Sequence, residues 1–133
     1  MKKLFVVLSV IFVSAIASGN NLSTIPKSYA EALKGLDIKG AELNNSFLSV
    51  SFNREQISKE MLGSVVRGFC YQMFLDKKFA KTLDLKRVMI TNRHYSHSFN
   101  FETDVKQYCT NISKLTDEEI KQQFPFDRYV TEN

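Results

Sequence analysis

Four side chains in this 133-residue chain have the chemistry for covalent or metal work: Cys70, Cys109, His94 and His97. A thiol beside an imidazole would make a Cys–His nucleophile, and His94 could act as the base of a small hydrolase. The spacing favours neither use. At i and i+3 on a strand, His94 and His97 point to opposite faces and cannot share one metal ion. The chain contains no Cys-x-x-Cys, Gly-x-Ser-x-Gly or His-Glu-x-x-His, and no phosphate-cradling glycine loop. Asp117, Glu118 and Glu119 follow Thr116, and helix capping with dipole placement accounts for them. No catalytic residue, metal or cofactor is assigned.

The cysteines have a more economical use. Met1-Lys2-Lys3 opens the chain, Leu4 to Ile16 is apolar apart from Ser9 and Ser14, and Ala15-Ile16-Ala17 closes the run. A basic start, an apolar stretch and a small-x-small exit read as a secretory signal peptide over 1–17, cut after Ala17. As a helix the run would span about 20 Å against a bilayer core of about 30 Å, so no stable membrane anchor is expected after cleavage. The short Lys-Lys start reads as bacterial and places the chain in the periplasm or outside the cell. The Asn111-Ile112-Ser113 sequon is set aside on that ground. In that oxidising compartment Cys70 and Cys109 are predicted to form one disulfide.

Charge carries the remaining chemical signal. Removing Lys2 and Lys3 from 18 basic residues leaves 16 against 14 acidic ones, so the net charge falls from +4 to +2. That is too little to suggest a nucleic-acid partner. The asymmetry is local. Lys77, Lys78, Lys81, Lys86, Arg87 and Arg93 lie within 77–93 with only Asp84 opposing them. Part of such a run serves as a solvated connection, and lysines discourage pairing at a strand edge. As a docking surface it suits an acidic partner protein, with Tyr95 and Tyr71 as aromatic anchors. The alternative ligand is anionic lipid or peptidoglycan.

These residues need a scaffold, and the strongest periodic signal supplies one. Ile57, Met61, Val65, Phe69 and Met73 recur every four residues, and Leu62, Val66, Cys70 and Phe74 form a second row. Both rows fit one α-helix over 54–75, capped by Asn53. Its apolar arc of roughly 260° leaves a stripe of Glu60, Ser64, Arg67 and Tyr71. A helix apolar over so much of its surface belongs in the core.

Around it the chain reads as two hairpins and shorter helices. Pro26 and Gly35 bracket a helix with Ile25, Tyr29 and Leu33 on one face. Residues 37–43 and 48–52 form a hairpin turning at Asn44-Asn45, with Ser49 and Ser51 on its polar face. Residues 76–82 read as a connection. Residues 83–91 and 95–101 form the second hairpin, with Tyr95, His97, Phe99 and Phe101 in an aromatic row. Thr103 or Asp104 caps a helix carrying Cys109, Thr116 opens another, and the tail from Phe126 lies back on the domain.

The predicted fold is α+β, in the order α-ββ-α-ββ-α-α. A four-stranded, mostly antiparallel sheet made of two hairpins packs on the long helix, with one disulfide and a single domain over 18–133. Gly63 is expected to admit the 104–110 helix, bolted by Cys70–Cys109. The expected function is that of an exported envelope module that binds a protein without catalysis. An inhibitor or immunity-type protein is one form of it. The weaker alternative is the hydrolase using His94.

Overall fold

The described residues of the computed structural model are 22–133, and the signal peptide expected at 1–17 lies outside them. Helix α1, Lys27–Ala32, follows Pro26, whose φ of −57° suits a helix start, and it buries Tyr29 and Ala32. Strands β1, Ile38–Asn44, and β2, Phe47–Phe52, form the first hairpin. Its turn places Asn45 at φ 57°, a left-handed conformation that asparagine tolerates.

The long helix α2 spans Lys59–Leu75 and starts at Ser58 rather than Asn53. The reason lies in the carbonyls of the segment before it. Those of Asn53, Arg54 and Glu55 accept hydrogen bonds from Arg93 Nη2, Arg93 N and Asn92 Nδ2, at 3.1, 2.7 and 3.0 Å. Backbone engaged with another loop cannot also open a helix. Leu62, Val65, Val66, Phe69, Cys70 and Met73 are buried as the periodicity requires. The predicted connection at 76–82 is itself a helix, α3, Lys77–Thr82. Asp76 Oδ1 caps it by accepting from the backbone N–H groups of Lys78 and Phe79.

Strands β3, Arg87–Thr91, and β4, Ser98–Phe101, form the second hairpin. The fold is α+β, as the sequence implies, but its sheet is mixed and has five strands in the order β1-β2-β3-β4-β5. The fifth strand, Val130–Glu132, pairs antiparallel with β4 because the tail folds back along it. Ser98 and Asn133 exchange both backbone bonds at 2.9 Å. Strands β2 and β3 run parallel. Helix α2, about 25 Å long, carries the chain back to the end where β2 began, which makes the next strand parallel to it.

Two helices complete the chain: α4, Val105–Ile112, capped by Asp104, and α5, Asp117–Gln123, opened by a capping box of Thr116 and Glu119. A 3-10 turn, Phe126–Tyr129, leads into β5. Helix α2 packs on β3 and β4, and α1, α3 and α4 pack on α2. The core between helices and sheet contains Leu48, Val50, Val88, Ile90, Phe69 and Phe101, none of them more than 1% exposed. Each such side chain contributes roughly 1.5–3 kcal/mol by leaving water.

The disulfide joins Cys70 of α2 to Cys109 of α4 with the Cα atoms 5.1 Å apart. The close helix approach, however, is not at Gly63. A Cβ on Gly68 would collide with the Ala32 carbonyl oxygen, so the end of α1 rests on Gly68. Gly63 faces the Arg67 side chain and Phe126.

Candidate interaction surface

The structure disperses the seven residues singled out at 77–95. Lys86 is held by Asp104 at 2.8 Å and Asp84 at 3.6 Å. The hydrogen bond and charge of Asp104 keep the Lys86 ammonium above its ordinary pKa. Burial pushes Asp104 upward, but Lys86 and the Gln107 N–H outweigh it and hold the carboxyl below its ordinary value. Arg87 lies on the sheet, with Nε and Nη2 donating to Asn100 Oδ1 at 3.1 and 2.8 Å. It also pairs with Glu102 and covers the Phe47 ring. Arg93 is tied to the segment before α2, with its Nε buried and unpartnered. Each of these three is engaged within the molecule.

Tyr95 does not belong to an aromatic strand row. It sits in the β3–β4 turn at φ 59°, 63% exposed, with Lys39 Nζ 4.7 Å from its ring centroid. The row that does form is His97, Phe99 and Phe101. The His97 ring lies tilted against Phe99 with centroids 4.9 Å apart, and its Nε2 is 2.8 Å from Glu132 Oε2, a core-edge histidine as the spacing suggests. Neither His94 nor His97 lines the clefts at Gly40, Gly63, Gly35, Lys59 or Asp104. Among the described residues no three His, Cys, Asp or Glu side chains converge.

Lys77, Lys78 and Lys81 remain together on α3, and none of them takes part in an ion pair among the described residues. Lys106 of α4 reaches them, donating to the Lys81 carbonyl at 3.4 Å. Asp76, the nearest acid in sequence, is engaged in the α3 cap. Immediately before them, at i, i+3 and i+4 of α2, stand Tyr71, Phe74 and Leu75, exposed by 63, 56 and 64%. Three large apolar side chains on one helix end, bordered by four lysines, form the most distinctive surface of the molecule.

The second apolar row predicts an inward Phe74, whereas the side chain is exposed. Its exposure follows from the direction of α4. Cys109 meets Cys70, while Tyr108 and Ile112 line a groove with Gly63 and Val66, so α4 runs antiparallel to α2 and away from Phe74. That groove, about 270 Å³, is apolar at Ile120 and Phe126 and rimmed by Arg67, Asp117 and Lys121. Leu75 and Lys106 escaped the sequence reading. The i, i+3, i+4 spacing of 71, 74 and 75 was visible, but nothing showed that no neighbour covers it.

Compared with protein-family models, curated proteins and solved structures, the chain matches none. Among the described residues no helix is long and apolar enough to cross a membrane.

Proposed function

We propose that this chain is an exported bacterial envelope module that binds an acidic partner protein without catalysis. An inhibitor or immunity-type role fits that description. The observation that carries the reading is the juxtaposition of Tyr71, Phe74 and Leu75 with the unpaired Lys77, Lys78 and Lys81. Exposed aromatic anchors beside charge resemble the centre and rim of a protein interface. Lys86, Arg87 and Arg93 already have partners within the molecule, which supports centring the surface on the α3 lysines.

A photo-crosslinking side chain at position 74 tests the proposal. It should capture one protein in the envelope fraction, and Lys77→Glu with Lys78→Glu and Lys81→Glu should abolish capture while leaving Tm unchanged. Capture that survives the triple substitution would remove the lysines from the surface. No protein capture, together with sedimentation on anionic vesicles that weakens at high salt, would transfer the surface to lipid.

A further inference from the structure

The sheet has a second face, and it is chemically unlike the one the helices cover. Along β2 and β3 it presents Ser49, Ser51, Met89 and Thr91. A cleft of about 370 Å³ opens on it over β1 and β2. That volume lies within the range of roughly 300–1,000 Å³ usual for small-ligand sites. Glu42 comes from β1, Ser49 and Ser51 from β2, Thr24 from the segment before α1, and Tyr95 from the β3–β4 turn. Four separate parts of the chain meet there.

The polar groups are fixed from behind. Thr91 donates to Ser51 Oγ at 3.0 Å, which leaves the Ser51 proton for another acceptor. Thr24 donates to the Ala41 carbonyl at 2.8 Å, so its oxygen keeps lone pairs to accept with. Asn92 holds the turn that carries Tyr95 by accepting from the Ser96 and His97 backbone N–H groups. Lys39 anchors the same turn through the Arg93 carbonyl at 3.0 Å. The floor is Gly40, where a Cβ would meet nothing within 4 Å. Its missing side chain is space left open.

We propose that this cleft is a binding site for a neutral saccharide. Two serine hydroxyls that donate and accept, a Thr24 oxygen left to accept, one acceptor-only carboxylate and one aromatic ring match a ligand rich in hydroxyls with a flat C–H face. Glu42 in the lining and Lys39 over the Tyr95 ring offset one another and leave no excess charge for a phosphate or a polyamine. The lining is too polar for an acyl chain. The site lies apart from the docking surface on α2 and α3, and it stands or falls separately.

Gly40→Leu tests it directly, because a Cβ there meets nothing within 4 Å and the larger side chain takes up cleft space while replacing glycine in a strand. A trimer of N-acetylglucosamine and a trimer of glucose are titrated into the ¹⁵N-labelled protein. At least one should shift the amides of Gly40, Glu42, Ser49, Ser51 and Tyr95 saturably at millimolar concentration. Gly40→Leu and Tyr95→Ala should each weaken that binding about tenfold or more with Tm preserved. Should Gly40→Leu unfold the chain, Ser49→Val provides the same readout. The proposal is overturned if neither trimer perturbs these amides, or if a folded cleft-filling variant binds as the parent does.

Discussion

Gly63 and Gly68 lie five residues apart on one helix, and an added methyl group would be felt differently at each. At Gly68 it strikes the Ala32 backbone carbonyl, which cannot move without α1, whereas at Gly63 it meets first the end of the flexible Arg67 side chain. Gly68→Ala is therefore expected to cost about 2 kcal/mol through overpacking. Gly63→Ala should change stability by less than about 1 kcal/mol, and could raise it, since alanine favours a helix. Urea denaturation of the two variants measures the contrast. Asp104 supplies a second prediction. Its pKa is lowered on folding, so its stabilisation is present above the unfolded pKa and is lost as pH falls through the lower folded one. Glu119 behaves in the same way, because the Thr116 N–H donates to it. Stability should fall in acid, below the ordinary carboxylate range. Asp104→Asn retains a capping oxygen without the charge, so it should weaken the protein at pH 7 and flatten its acid dependence. Urea midpoints from pH 7 down to pH 2 would show whether it does.

Among the elements, α4 and β5 are attached by different means, and each attachment can be removed. Helix α4 is bound covalently through Cys109 and by an aromatic cluster. Phe101 stacks on Phe126 at 5.2 Å and meets Tyr108 edge-on at 5.1 Å. Cys70→Ser with Cys109→Ser frees a loop of 39 residues and should lower stability by about 4 kcal/mol in the chain-entropy model. Strand β5 is held by three residue pairs and the two Ser98–Asn133 bonds. Deleting 130–133 should cost about 1–3 kcal/mol. It should also expose the edge of β4, seen as scattering that rises with concentration. The sequence revealed these elements unevenly. Helix α2, both hairpins, the Thr116 capping box and the Cys70–Cys109 pair were legible because each is encoded within a short window or by elimination. The start of α2 was not, because the competing partners of Asn53 and Arg54 lie about 40 positions away. Helix α3 was hidden by its lysines, since only Phe79 is buried along it. Three residues of β5 are too few to show alternation.

On the scale of the whole molecule, burial and charge separate two faces with different chemistry. The helical side ends in Tyr71, Phe74, Leu75 and the α3 lysines, while the sheet side holds a hydroxyl-lined cleft. Phe74→Ser should leave stability within about 0.5 kcal/mol, because an exposed side chain has little burial to lose. It should also reduce self-association in light scattering if the apolar patch meets water as described. The lysine content of the candidate surface was legible in sequence, but its membership was not. Lys86, Arg87 and Arg93 look the same as Lys78 until Asp104, Asn100 and Asn53 are brought beside them. The cleft was less legible still, since Thr24, Glu42, Ser51 and Tyr95 are joined only by the sheet and its loops. The Cys70–Cys109 bond has one more consequence. Helix α3 and the whole β3–β4 hairpin lie inside the ring it closes, while β1, β2 and β5 lie outside it. A protease that cuts once in the exposed turn at His94 or Tyr95 therefore leaves the chain in one covalent piece. The nicked protein should run as a single band on a non-reducing gel and as two bands after thiol treatment.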